Sequence, residues 1–135
     1  MPLDNSASRN SPGKLPGGFH PSVSDWFEGA FSAPTPVQTA AWPKIAEQER
    51  VLIAAPTGSG KTLAAFLCAI NELVLQSRNN VLEDKVHVLY ISPLKALSND
   101  IEKNLRAPLD GIAAQLAASG EKPHGQIIER ARQPR

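Results

Sequence analysis

Val51-Leu52-Ile53-Ala54-Ala55-Pro56-Thr57-Gly58-Ser59-Gly60-Lys61-Thr62 sets a short apolar run against a stretch of small and polar residues, and the helix-compatible run Leu63 to Leu75 follows. Strand, small-residue loop and helix in that order are what a phosphate-binding loop requires. The strand delivers the chain to a sheet edge. Small residues let backbone N–H groups converge on phosphate oxygens, and the helix points its positive end at them. Lys61 offers an ammonium that can reach β- and γ-phosphates, and the Thr62 hydroxyl can ligate a Mg²⁺ that travels with them. Ala55 stands where a first glycine is usual, and alanine allows the turn as long as its φ stays negative.

The segments around this loop extend the pattern. Val51 to Ala55 reads as a strand buried on both faces, as in parallel sheets. Leu63, Phe66, Leu67, Ile70, Leu73 and Val74 repeat with the helical period, and Asn79-Asn80 marks the connection to Val86-His87-Val88-Leu89-Tyr90-Ile91, a second strand. Ser92-Pro93 then precedes a helix with Leu94, Leu97, Ile101 and Leu105 on one stripe, and residues 108–118 add one more. The resulting β-α-β-α series predicts an α/β fold with parallel strands, right-handed crossovers and a ligand beyond the carboxyl ends of the strands. Upstream, Ser22 to Phe31 forms a short helix with Val23, Trp26 and Phe27 along one face. Thr35-Pro36-Val37-Gln38 is a capping box, with Thr35 as N-cap and Pro36 at the first helical position. Pro43 predicts a break near Trp42 and a new turn through Ile45 and Ala46.

The bulk properties bound the function. A chain of 135 residues holds one domain or part of one, and 41% hydrophobic with 20% charged residues excludes disorder throughout. A net charge of +1 supplies no overall field for nucleic acid, so such binding must rest on local sites. Cys68 lies inside an apolar helix and reads as a small buried hydrophobe. His20, His87, His124 and Cys68 lack ligand-like spacing. With neither a signal-peptide pattern nor an apolar run near the ~20 residues of a membrane span, a cytoplasmic location is expected. Residues 1–18 read as a mobile leader and 119–135 as a polar, basic tail carrying Lys122, Arg130, Arg132 and Arg135.

Three stretches together, Thr35 to Gln38, Ala55 to Thr62 and Ser92-Pro93-Leu94-Lys95-Ala96-Leu97, resemble in order and context the first motor domain of superfamily 2 helicases of the DEAD/DEAH type. Asn99-Asp100-Ile101 and Ala41-Trp42-Pro43 are similar to the large helicase-related (Lhr-like) branch, whereas DEAD-box RNA helicases proper usually show Pro-Thr-Arg-Glu-Leu after the second strand. The resemblance covers roughly residues 19 to 112, so 19–118 is expected to be a partial ATP-binding domain with a P-loop, RecA-like parallel sheet flanked by helices, incomplete at one side. It implies ATP and Mg²⁺ as cofactors and a single strand of DNA or RNA as partner.

Residue by residue, Ala55, Pro56, Thr57, Gly58, Ser59, Gly60, Lys61 and Thr62 correspond to the phosphate loop, with Thr62 toward the metal. Gln38 corresponds to the glutamine that reads adenine, since a carboxamide offers a donor and an acceptor to N6 and N7; it serves equally as the capping-box partner, and the two roles are compatible. Phe19 corresponds to the aromatic that stacks on the base, and a plain core phenylalanine fits that position as well. Ser92, Pro93, Leu94 and Lys95 correspond to the motif that touches the nucleic-acid backbone; the same residues fit a Ser-Pro helix start with a solvated lysine.

Hydrolysis needs a strand-end carboxylate for Mg²⁺ and a neighbouring base to orient water. Glu83 and Asp84 precede a strand, and Asp100 and Asp110 lie in helical context. The Asp-Glu-x-His motif, the Ser-Ala-Thr-like coupling motif and the second motor domain are missing from these 135 residues. The expectation is a truncated or frame-disrupted helicase product that does not hydrolyse ATP by itself. A non-catalytic nucleotide- or nucleic-acid-binding module is the alternative.

Overall fold

The computed structural model describes residues 15–91 and 95–121, which form four helices: α1 (Pro21–Ala30), α2 (Pro36–Ala46), α3 (Lys61–Arg78) and α4 (Lys95–Ala118). α1 starts where His20 acts as N-cap, its Nδ1 accepting the Ser22 N–H at 3.2 Å, and it carries Pro21 in the first turn. α2 starts on the predicted capping box. The Thr35 hydroxyl accepts the Gln38 N–H at 3.3 Å, and Gln38 Oε1 accepts the Thr35 N–H at 2.9 Å. α3 continues to Arg78 and is closed by Asn79, with Asn80 at φ 56° reversing the chain.

The core is the meeting of one apolar face from each helix. Val23 and Phe27 of α1, Trp42 of α2, Leu67, Ile70 and Val74 of α3, and Ile112 and Leu116 of α4 form one buried cluster. Trp42 is its largest member. Phe19 and Phe27 meet its ring edge-on, at 5.3 Å and 5.6 Å, and its indole N–H donates to the Ala64 carbonyl at 3.1 Å. That bond satisfies the one polar atom of a side chain 1% exposed, and it ties α2 to the first turn after the loop. α1 and α4 approach as closely as they do because residue 111 is glycine: a Cβ there would lie 2.1 Å from the Trp26 ring.

Two expectations fail in instructive ways. Pro43 does not break α2, which runs on to Ala46 around it. An interior proline costs about 3 kcal/mol in an isolated helix, but the turn containing Pro43 is anchored through Trp42, and the Thr39 carbonyl left without a donor belongs to an exposed residue. The second helix expected over 108–118 is likewise not separate. α4 is continuous through Pro108, because Ile112 and Leu116 beyond it are held in the core.

The larger correction concerns the sheet. Among the described residues there is no strand: 51–56 and 86–91 run without any ladder. Leu52 is 93% exposed, Val86 80% and Ile91 81%, so the faces that a parallel sheet would bury are open. A strand holds its shape through hydrogen bonds to a neighbour, and among the described residues these two segments neither pair with each other nor have a third beside them. The helical half of the α/β pattern stands; the sheet half does not form here.

Candidate functional site

The loop 55–60 enters α3 through two left-handed glycines, Gly58 at φ 82° and Gly60 at φ 86°. At Gly60 any side chain would be strained and would push Gln38 aside. Besides its φ, a Cβ would meet Gln38 Nε2 at 2.5 Å and Thr35 Oγ1 at 3.2 Å. This crowding comes from bracing. The Thr35 hydroxyl donates to the Ser59 carbonyl at 2.8 Å, and Gln38 Nε2 donates to the Gly60 carbonyl at 3.3 Å. The start of α2 therefore holds the loop by two adjacent carbonyls, and the Ser59 N–H closes the turn on the Pro56 carbonyl at 3.2 Å.

The first bond inside α3 runs from the Ala64 N–H to the Gly60 carbonyl at 3.0 Å. The N–H groups of the turn ahead of it have no intrahelical acceptor, and the helix dipole places positive potential there. The Lys61 ammonium bends back to the Ala55 carbonyl, which keeps it over the loop. A phosphate oxygen, charged, is a stronger acceptor than that carbonyl. Ser59 Oγ is buried, with no hydrogen-bond partner among the described residues. Thr62 is exposed on the first turn of α3. Among the described residues no group of three His, Cys, Asp or Glu could hold a metal, so a Mg²⁺ here fits only as a companion of bound phosphate, with the Thr62 hydroxyl as the chain's ligand.

These residues open on a cavity of about 690 Å³, within the range of small-molecule sites. Gln38, Lys61 and Thr62 line one side of it. Facing them are Trp26 and Phe31 of the α1 end and Asn104 of α4. Phe31, 44% exposed, is packed at 4.9 Å on Phe27 and at 6.0 Å, edge-on, on Trp26. It is an aromatic surface that sequence reasoning missed. The available signal was its position just outside α1 and a few residues before the Thr35 cap, where an apolar ring has no helix face to join.

Phe19 is placed elsewhere. It lines a second cavity, of about 540 Å³, together with Trp42, Cys68 and Asn71. Asn71, 9% exposed, accepts the His20 N–H at 2.7 Å and donates to the Gly18 carbonyl at 3.0 Å, so the residues on either side of Phe19 are clamped to α3. Gln38, Lys61 and Thr62 are thus brought together and Phe19 is not among them. Ser92, Pro93 and Leu94 lie outside the described residues, and Lys95 opens α4. Burial pushes the Cys68 thiol up to about 11, in keeping with a packing role. No described helix is long and apolar enough to cross a membrane.

Comparison with known proteins gives a single answer. The DEAD/DEAH box helicase family matches residues 35–134. The chain is 58% identical over 87 residues to the ATP-dependent helicase Lhr-Core protein 2 of Thermococcus barophilus, covering 64% of this chain and 10% of that relative. It is 46% identical over 111 residues to the Lhr helicase/uracil glycosylase of Escherichia coli, covering 79% of this chain and 7% of that one. The solved structure of Mycobacterium smegmatis helicase Lhr bound to ssDNA and AMP-PNP superposes with a TM-score of 0.68 at 41% identity, over 87% of this chain and 16% of that one. The chain spans about a tenth of the length of the curated relatives it matches.

Proposed function

The chain belongs to the DEAD/DEAH box helicase family, and from that premise we propose that its 135 residues are the ATP- and nucleic-acid-binding part of the first motor domain of an Lhr-type, ATP-dependent helicase. Residues 19–118 form the partial motor domain. The observation that carries the reading is the braced loop: Thr35 and Gln38 hold the Ser59 and Gly60 carbonyls, and Thr57, Gly58, Gly60, Lys61 and Thr62 line the cavity at the start of α3. The relative whose structure holds ssDNA and AMP-PNP supports a nucleotide and a single strand as the ligands.

In this reading Ala55 to Lys61 bind the triphosphate, and the Thr62 hydroxyl holds the Mg²⁺. A Mg²⁺ held there would supply positive charge against the phosphates. Gln38 retains one N–H and one acceptor lone pair beyond its two structural bonds, enough to meet the adenine edge. Phe31 in the same cavity supplies a face for the base, and Phe19 supports the fold from the neighbouring cavity. Ser92 to Lys95 contact the backbone of the strand without reading its sequence. Turnover is not expected of these residues alone, because the sequence carries no Asp-Glu-x-His and so no carboxylate pair to hold Mg²⁺ and orient water.

The test is a titration of the purified chain with ATP and AMP-PNP in the presence of Mg²⁺, followed by tryptophan fluorescence, since Trp26 lines the cavity. Saturable binding by the chain and its loss in Lys61→Ala are expected. Equal binding by both proteins would refute the assignment.

A further inference from the structure

We propose that Asn104 of α4 is a nucleotide-binding residue, whose carboxamide donates to the triphosphate from the wall opposite the loop. The inference rests on the reading of that loop as the ATP site. It starts from the composition of the cavity. One wall is the loop and the first turn of α3, which deliver backbone N–H groups, an ammonium and a hydroxyl. The facing α4 wall consists of Asn104, Ala107 and Pro108, of which Asn104 alone has a polar side chain.

Asn104 is exposed on its helix at the cavity edge. Leu105, the residue after it, and Leu109, over a turn further along, pack on the core, which fixes the rotation of α4 about its axis. The approach of α4 is fixed too, by Trp26 seated against Gly111 where a side chain would collide. A residue on a helix held this way is positioned rather than tethered, so its donors lose little freedom when a ligand arrives. A carboxamide carries two donors and no charge. Facing a polyanion it presents its N–H₂ and adds to a site whose charge is already met by Lys61 and Mg²⁺. Its contact also joins the nucleotide to α4, the helix that Lys95 opens.

The experiment measures affinity of the full 135-residue chain for ATP, ADP and inorganic tripolyphosphate, each with Mg²⁺, by calorimetry, for the unaltered chain and for Asn104→Ala, Asn104→Asp, Asn104→Gln and Lys61→Ala, with helical content checked by circular dichroism. A hydrogen bond to a charged group corresponds to roughly a tenfold change in affinity or more. Asn104→Ala is therefore expected to weaken ATP and tripolyphosphate about tenfold. Asn104→Asp should weaken them further through repulsion, and Asn104→Gln should recover part of the loss, a pattern that a purely structural role does not produce. ATP and tripolyphosphate affinities within twofold of the unaltered chain in a folded Asn104→Ala and Asn104→Asp, with binding lost in Lys61→Ala, overturn the role of Asn104 and leave the ATP site standing. Binding retained in Lys61→Ala overturns both.

Discussion

Gln38 donates from Nε2 to the Gly60 carbonyl at 3.3 Å, and with that bond the first turn of α2 fixes the residue at which the loop becomes α3. The same carboxamide closes the capping box through the Thr35 N–H at 2.9 Å. One side chain, 3% exposed, therefore settles both a helix start and a loop geometry. Gln38→Ala leaves the Thr35 N–H without its partner and takes one of two donors from the Gly60 carbonyl, which keeps the Ala64 N–H; the cost is about 1–3 kcal/mol. Its thermal midpoint should fall, and its ATP affinity should fall with it. ATP over GTP preference, measured by competition on the same protein, should shrink; GTP competing as well as ATP against the unaltered chain would remove the adenine role of Gln38.

Lys61→Ala removes the ammonium now bonded to the Ala55 carbonyl and, in the bound state, its contact with the phosphates. The α3 helix starts at this residue and its core face lies further along, so the fold should be preserved in circular dichroism. ATP affinity should drop by roughly 2–3 kcal/mol, the scale of charge-assisted bonds. Unchanged affinity in folded protein would withdraw the loop assignment.

Phe19 and Phe31 separate by experiment. Phe31→Ala removes a 44% exposed ring from the cavity beside the loop and should weaken ATP by about 1–3 kcal/mol, the scale of base–aromatic stacking, with a small change in melting. Phe19→Ala removes an edge-on partner of Trp42 at 5.3 Å and should lower stability by roughly 2 kcal/mol with affinity for ATP little changed. The reverse pattern would return the base to Phe19.

The two aromatics also show what was legible in the sequence. The capping box at Thr35 to Gln38 and the loop at Ala55 to Thr62 were readable because their chemistry is local: each bond spans a few residues, and the residue types follow from backbone geometry. Phe31 was not, because its place is set by Phe27, by Trp26 and by a cavity whose far wall is α4, more than seventy residues along the chain. The sheet failed for the same reason in reverse. Val51 to Ala55 and Val86 to Ile91 have the composition of buried strands, yet composition supplies no partner, and each segment needs a neighbouring strand to pair with. Pro43 and Pro108 misled because local propensity was outweighed by the packing of Trp42, Ile112 and Leu116.

Burial holds the Cys68 thiol neutral, with its pKa pushed up to about 11 from 9.0. At pH 8 about one thiol in a thousand is then ionised, so alkylation by iodoacetamide should be slow in folded protein and fast in denaturant. The unfolded chain loses this proton first as pH rises. Stability should therefore be flat below pH 9 with respect to Cys68 and decline between 9 and 11, a decline absent in Cys68→Ala. Rapid alkylation at pH 8 without unfolding would contradict the half-buried placement.

The isolated chain should bind ATP yet turn it over at background, and bind single strands weakly with little regard to sequence. The motivation is chemical. In the proposed site Lys61 and Thr62 serve binding, whereas turnover needs a strand-end carboxylate and an oriented water, and the 135 residues carry no Asp-Glu-x-His. For the strand, a net charge of +1 supplies no general attraction, and the contact reduces to the residues around Lys95. A contact with only a few phosphates gives a shallow fall of affinity with salt, with a slope of about −0.7 per phosphate neutralised on single strands. Phosphate release and fluorescence anisotropy of a labelled oligonucleotide, each across a salt series, measure both. Strand-stimulated hydrolysis near 1 per second, the order of a competent enzyme, would show that these residues suffice for catalysis.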